Sequence, residues 1–438
     1  MRSRGWVLAI VFIVFLYLSF SSLNSVAKSR SPQPRNDLIV RRENPFKRLN
    51  TTLLTSVLAH VQVGYVANRT PDFDTPPLLV LYSCHQGGGQ CGSLEQRLEG
   101  ITSAYLFGML WDGAAVGIDM SAPVKFDWFF EASPRYMVMN PGQIQFYKER
   151  ADPSTVRTQH AMLQHDLATK DYVNEYRSQN VRVLQCGNWD AWTAMQENPF
   201  MKRLRDKYRL EQLQPSEGFW VAHQLLFSKP NDWLSGHLTP YLDLMGGHMH
   251  RDPLDVLAQP PENDNDSILA RWIRIGVRVT EDNVDYACIA TRVASVCSKA
   301  QVMGKECHVF LSASSQDIIE QLRSAIIQHK RKNRPVIVHA VAESYEFTPS
   351  SAFGDNQDDA TLDPSDEPRL KLKYARPIMD WVLLSRMDYL VGLHGDEFLK
   401  TAAWAAQVET DLYYHPDPST ATQEDASSQC KIVPMTTW

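Results

Sequence analysis

Two arginines in one apolar run, Arg274 and Arg278 in WIRIGVRV, are the side chains of this sequence best suited to holding an anion. A guanidinium near the end of a strand gives paired hydrogen bonds to a diphosphate and steadies its charge as it leaves. Arg274 is the first candidate, and Arg278, four residues on, competes with it. Backbone supplies a second anion-binding feature. Gly87, Gly88, Gly89 and Gly92 stand where an apolar run gives way to helical spacing, so bare N–H groups there could approach a phosphate at a helix start. A surface turn is the plainer reading of the same glycines. His394, Gly395 and Asp396 form another strand-to-helix turn, with Asp396 placed as the helix N-cap. Neither GxGxxG nor GxxxxGK(S/T) is formed, which removes the dinucleotide and P-loop fingerprints.

Other constellations are weaker. His248 and His250, with Asp252 close by, make a His-x-His pair, but such a pair points one way only on a strand, and Gly246 and Gly247 argue for a loop. No CxxC pair or zinc spacing occurs, so no metal is expected. His160, His165 and Asp166 read as surface residues. GxSxG, HExxH and a Ser-His-Asp signature are absent, which disfavours the common hydrolases.

The elements that must position these groups follow from periodicity. Pro77–Cys84 reads as a buried strand, Ser93–Trp111 as a helix with Leu94, Leu98, Ile101 and Tyr105 at helical spacing, and Ala115–Met120 as a strand: one βαβ unit. Val181–Cys186 is a further strand. Later, Trp272–Val279, His308–Leu311, Val336–Ala340 and Tyr389–Leu393 alternate with helical patterns, one of them starting at Pro377. Such alternation predicts an α/β fold of two Rossmann-like, doubly wound domains facing across a cleft, with ligands at the carboxyl ends of the strands. The expected division is a membrane segment at 1–23, a stem at 24–45, a front domain at 46–265 and a back domain at 266–438. The Asp-, Asn- and Pro-rich stretch 252–266 is the expected linker, and the acidic stretch 348–368 a solvated loop.

Several segments, in order, resemble a family of fucosyltransferases of the two-domain GT-B type, which includes bacterial nodulation and plant xyloglucan enzymes and, more distantly, protein O-fucosyltransferases. WIRIG (272–276) is similar to the family's H-I-R-x-G strand, and FLSAS (310–314) to its strand ending in small and acidic residues. DWVLLSRMDYLVG (380–392) with HGDEFLKTAAW (394–404) resembles D-W-x-L-L-S-x-A-D-x-L-V-G and S-S-F-S-R-T-A-A. CGSLEQRLEGITSAYLFGMLWDG (91–113) resembles the G-G-L-G-D-R-L-x-G-I segment. The resemblance implies a nucleotide-sugar donor, GDP-fucose, with no further cofactor and no metal. It implies Arg274 as the catalytic group on the donor's phosphates, with Ser312, Ser314, His394, Gly395, Phe398 and Thr401 also at the donor. Gly92 and Arg97 would belong to the front loop that meets the acceptor or phosphate, and the sugar would be inverted on transfer to a glycan or glycoprotein hydroxyl. The sequence departs from the family at Trp272 (a histidine there), Glu95 and Gln96 (Gly-Asp), Asp396 and Glu397 (a Ser pair) and Lys400 (an arginine). A strand register matched on Ile275-Gly276-Val277 would leave Arg274 outside the motif. A lumenal protein of this fold that binds without turnover is the alternative.

Composition sets the setting. With 438 residues, 44% hydrophobic, 21% charged and a net charge of -6, the chain reads as globular and lacks the basic balance of a nucleic-acid binder. Trp6–Phe20 is apolar and uncharged, preceded by Arg2 and Arg4. A signal anchor in the Golgi or ER membrane with a lumenal body is one reading; a signal cleaved after Ser25-Val26-Ala27, giving a secreted protein, is the other. Sequons at Asn50, Asn68 and Asn265 accord with either. Seven cysteines leave at least one unpaired, and Cys84 with Cys91 could bridge across the glycine loop.

Overall fold

Leu79–Cys84 (β1) is buried at every position, as expected of a strand covered on both faces of a parallel sheet. In this computed structural model the described residues are 51–435, apart from 62–77, 85–90, 112, 133–136, 151–155, 160–163, 173, 175–180, 185–190, 228, 248–270, 283, 330–334, 356–365 and 415–429. The apolar run 6–20, the stem, the three sequons, Cys186, the His248/His250 pair and the expected linker therefore lie outside them. Helix α1 (Leu94–Leu110) follows the glycine loop, its start marked by the Ser93 N–H donating to Gln96 Oε1 at 3.0 Å. Next come β2 (Ala115–Met120), β3 (Val138–Met139), β4 (Val156–Gln159) and β5 (Val181–Leu184). These strands form one parallel sheet in the order β3-β2-β1-β5-β4. Helix α2 (Pro215–Leu226) closes this half against the next.

The second sheet begins with β6 (Trp272–Val279), followed by α3 (Tyr286–Val302), β7 (Glu306–Ala313), α4 (Gln316–His329) and β8 (Val336–Ala340). Then come α5 (Glu367–Leu384), β9 (Tyr389–Leu393), α6 (Glu397–Ala406), β10 (Thr410–Tyr414) and β11 (Lys431–Pro434). Its order is β11-β10-β9-β6-β7-β8, parallel except for β11. Strand order reverses between β6 and β9. In such a sheet the crevice for a ligand opens at the carboxyl ends of that pair. The register sets Arg274 beside His308, and Arg278 beside Ser312 and Gly392.

One hydrophobic core runs from the first sheet and α1 through α2 into α5 and α6, whereas α3 and α4 cover the other face of the second sheet with a separate core. Trp381 of α5 meets His223 and Phe227 of α2 edge-on at 5.3 and 5.5 Å, and Phe219 meets Trp404 of α6 at 5.7 Å. Burial pushes His223 down to about 3, so it enters this core as the neutral imidazole.

Two sequence expectations are corrected here. Helix α5 does not start at Pro377 but at Glu367, with Pro377 inside it. Leu370 and Tyr374, two turns and one turn before Ile378, continue the same buried stripe, and tertiary packing outweighs the N–H that proline lacks. The start of the acidic stretch is not free solvated loop: Ser350 O accepts from Leu94 N at 3.1 Å, and Phe353 is buried. Disulfides join Cys84 to Cys91, Cys288 to Cys430 and Cys297 to Cys307. Among the described residues, no helix is long and apolar enough to cross a membrane.

Candidate active site

An open cavity of about 400 Å³ lies at the carboxyl ends of β6, β7 and β9, where the strand order reverses. Arg278, the penultimate residue of β6, lines it. Its side chain is 9% exposed and held on three sides: Nε donates to Asp396 Oδ2 at 2.9 Å, Nη1 donates to Ser312 Oγ at 2.9 Å, and the guanidinium lies 3.7 Å from the Phe398 ring centre. Among the described residues Nη2 has no hydrogen-bond partner. Behind it, the Ser312 hydroxyl donates to Asp380 Oδ2 at 2.8 Å, so the chain Asp396–Arg278–Ser312–Asp380 fixes the guanidinium plane before any ligand arrives. Such preorganisation is what stabilising a departing diphosphate requires.

Asp380 sits on α5, wholly buried. Burial pushes its carboxyl up to about 6, against the opposing pull of Arg376, the Ser312 hydrogen bond and Arg278. Its Oδ1 is buried without a hydrogen-bond partner and borders the same cavity, a spare acceptor for a ligand N–H. One turn earlier, the Arg376 guanidinium stacks on Phe347 at 3.4 Å and donates to the carbonyls of Val341, Ala342 and Tyr345. It thereby shapes the cavity wall that runs from Phe347 to Ser351. Desolvation lowers the pKa of Arg376.

The turn after β9 supplies the opposite lip. Gly395 has φ +85, a conformation that favours glycine, and no atom lies within 4 Å of where its Cβ would stand, so backbone there is open to a ligand. His394 stacks on Tyr414 at 4.1 Å and lines the cavity, as does Ser314, whose hydroxyl donates to Thr280 O at 2.9 Å. Asp396 caps α6 by accepting from Leu399 N at 3.1 Å while its other oxygen takes Arg278. Glu397 pairs with Lys400 at 2.5 Å. The two acids at this helix start are therefore both partnered.

The structure brings Ser314, His394 and Gly395 into one cavity and leaves the other predicted residues elsewhere. Arg274 is the main correction. It stands near the amino end of β6, where Nε and Nη2 form a fork to Asp388 at 2.8 and 2.6 Å and Nη1 donates to Leu244 O at 3.3 Å. Gly246 closes over it: a Cβ there would meet Nη1 at 2.9 Å. Thr401 is fully buried, its hydroxyl shared between Trp381 Nε1 at 3.1 Å and Phe398 O at 2.9 Å, which suits packing rather than donor contact. Ser312 and Phe398 lie behind and beneath Arg278 and act through it. Arg97 is buried, and its donors go to Gly92 O, Ala122 O, Cys84 Sγ and Phe353 O, so it ties the two halves together instead of meeting phosphate. Gly92 (φ +72) takes part only through that carbonyl and a close approach to Gly354. Arg376, Asp380 and the 347–351 wall were missed. Asp380 opens the DWVLLS run and was within reach; the wall carries no motif.

Carboxylates outnumber cations around the cavity: Glu95, Glu281, Asp380, Asp396 and Glu397 face Arg278 and Arg376. Among the described residues, no group of three His, Cys, Asp or Glu is arranged to hold a metal.

No family model matches the chain, and no curated protein does either. Among solved structures it is similar to a mutant of Arabidopsis thaliana FUT1 in complex with GDP, at 14% identity over 88% of this chain and 78% of that one, with a TM-score of 0.50. It also matches the fucosyltransferase NodZ from Bradyrhizobium, at 12% identity over 82% of this chain and 99% of that one, with a TM-score of 0.44. With two parallel sheets and a cavity at the strand-order reversal of the second, the chain has a fucosyltransferase-like GT-B fold, in a divergent form.

Proposed function

We propose that this protein is a glycosyltransferase that takes a nucleotide sugar, GDP-fucose in the first instance, and passes the sugar to a glycan or glycoprotein hydroxyl. One observation carries the reading: Arg278 stands at the reversal point of the second sheet, its plane fixed by Asp396 and Ser312, and lines a cavity bordered by the open Gly395 turn. In this reading Arg278, not Arg274, holds the diphosphate and takes up charge as it leaves, and Gly395 lets the phosphates approach backbone. Asp380 Oδ1 is a buried acceptor for a base or sugar N–H or O–H, and the second half holds the donor while the acceptor enters from the first. The neighbour captured with GDP supports the choice of nucleotide.

Three disulfides support folding in an oxidising compartment, and the apolar run 6–20 supports a membrane anchor or cleaved signal ahead of a Golgi or ER lumenal body. A second reading, binding without turnover, draws on the acidic cavity lining and on Arg278 already having two of its three nitrogens bonded. Titration calorimetry with GDP, UDP and CMP, followed by assay of the matching sugar donors, separates the two. Saturable GDP binding with GDP released from GDP-fucose is the expected result. GDP binding without release favours the second reading, and no nucleotide binding contradicts the first and leaves the second as a glycan-binding protein.

A further inference from the structure

Among the carboxylates around the cavity, Glu95 is the one contributed by the first half of the chain, from the first turn of α1. Asp396 is held by Arg278 and by its own helix cap, Glu397 by Lys400, and one oxygen of Asp380 by Ser312. Glu281 is exposed at the rim. Among the described residues Glu95 has no hydrogen-bond or ion-pair partner, and its Oε2 is buried. Helix capping does not account for it, because the neighbouring Gln96 takes that role through the Ser93 N–H. An acid in a first turn is favoured by the helix dipole by only about 0.3–1 kcal/mol.

Its backbone is nevertheless pinned on both sides. Leu94 N donates to Ser350 O at 3.1 Å, and the Arg97 side chain reaches the carbonyls of Gly92, Ala122 and Phe353. These contacts hold the first turn of α1 against the 347–351 wall, so Glu95 is carried on a fixed backbone into the cavity that Arg278 also lines. A buried carboxylate oxygen left without a hydrogen-bond partner calls for an explanation that packing alone does not give.

We infer that Glu95 is the general base of the transfer, an inference that rests on the function proposed above. In an inverting displacement the acceptor oxygen attacks the anomeric carbon from the side opposite the leaving group. The base and the cation serving the leaving group must then come from different sides of the site; Glu95 reaches the cavity from α1 of the first half and Arg278 from β6 of the second. As the new carbon–oxygen bond forms, the acceptor's proton passes to the Glu95 carboxylate. The bond from the anomeric carbon to the phosphate oxygen breaks, and its electron pair leaves with GDP, facing Arg278. The proton then returns to solvent.

The test uses the full chain, with GDP as the binding probe and GDP-fucose with water as acceptor for turnover. Glu95→Gln keeps the shape and the helix while removing the base. It is expected to bind GDP within about threefold of wild type and to release GDP from GDP-fucose about 100-fold more slowly, or worse. Release within about threefold of wild type, where general-base loss should exceed 100-fold, would overturn the inference and leave the proposed function standing. Loss of GDP binding in Glu95→Gln would overturn it too, by placing the residue in donor binding. A wild-type chain that neither binds GDP nor releases it removes the function and the inference together.

Discussion

At the amino end of β6, Arg274 is forked onto Asp388, covered by Gly246 and bonded to the Leu244 carbonyl. At the carboxyl end, Arg278 rests on Phe398 between Asp396 and Ser312 and lines an open cavity. The two residues are of one type, lie on one strand and share a face, since side chains of a strand alternate with period two. Position along the strand separates them: four residues at about 3.3 Å each carry the second arginine about 13 Å nearer the crevice. At one end a guanidinium fastens the strand to its neighbour; at the other, its held plane is available to a ligand. Burial, ion pairing and strand placement are alike in kind, so none of them marks a binding residue alone. Which end of the sheet the residue occupies does.

If that contrast is right, damage at the amino end should affect stability and spare binding. Arg274→Ala removes a fork of two charge-assisted bonds and leaves Asp388 largely buried without its partner. The expected cost is about 2–3 kcal/mol, read as a lower urea midpoint at unchanged slope. An Arg274→Ala protein as stable as wild type would break the comparison at its structural end.

A smaller effect, expressed only through pH, sharpens it at the carboxyl end. Asp380 is held up at about 6 by burial, above the ordinary carboxyl value. The stability this group contributes is therefore present below about pH 4 and is lost as pH rises through about 6. Asp380→Asn should lack that decline, which is on the order of 2 kcal/mol in the wild type. Denaturant unfolding at pH 4, 5 and 6.5 checks it; an identical decline in the variant would remove Asp380 as its source.

Much of this architecture could be read from the residues. The runs at 79–84, 272–279, 336–340 and 389–393 are apolar, bounded by turn residues and separated by helical spacing, and each is a strand of a parallel sheet. Gly395 was legible for the same reason: a glycine between a strand and a capped helix has few other uses. The arginine was harder. Period-two alternation gives Arg274 and Arg278 the same sidedness, so only their position along the strand, nearer the amino or the carboxyl end, distinguishes them. Thr401 falls on the inner face of α6 because Trp381, on another helix, needs an acceptor for its indole N–H. The resemblance placed Arg97 in a loop for acceptor or phosphate, but its donors are taken by Gly92 O nearby and by Phe353 O, 256 residues away. The 347–351 wall has no periodicity and is placed by distant partners, with Arg376 stacked on Phe347, Thr348 bonded to Lys373 O and Ser350 O accepting from Leu94 N.

The account stands most directly on GDP titration of two variants beside the wild type, with folding confirmed for each. Arg278→Ala is expected to weaken GDP binding about 100-fold or more, roughly 2.7 kcal/mol, and Arg274→Ala to leave it within about threefold. The reverse pattern, with Arg278→Ala binding as wild type and Arg274→Ala failing to bind, would contradict it.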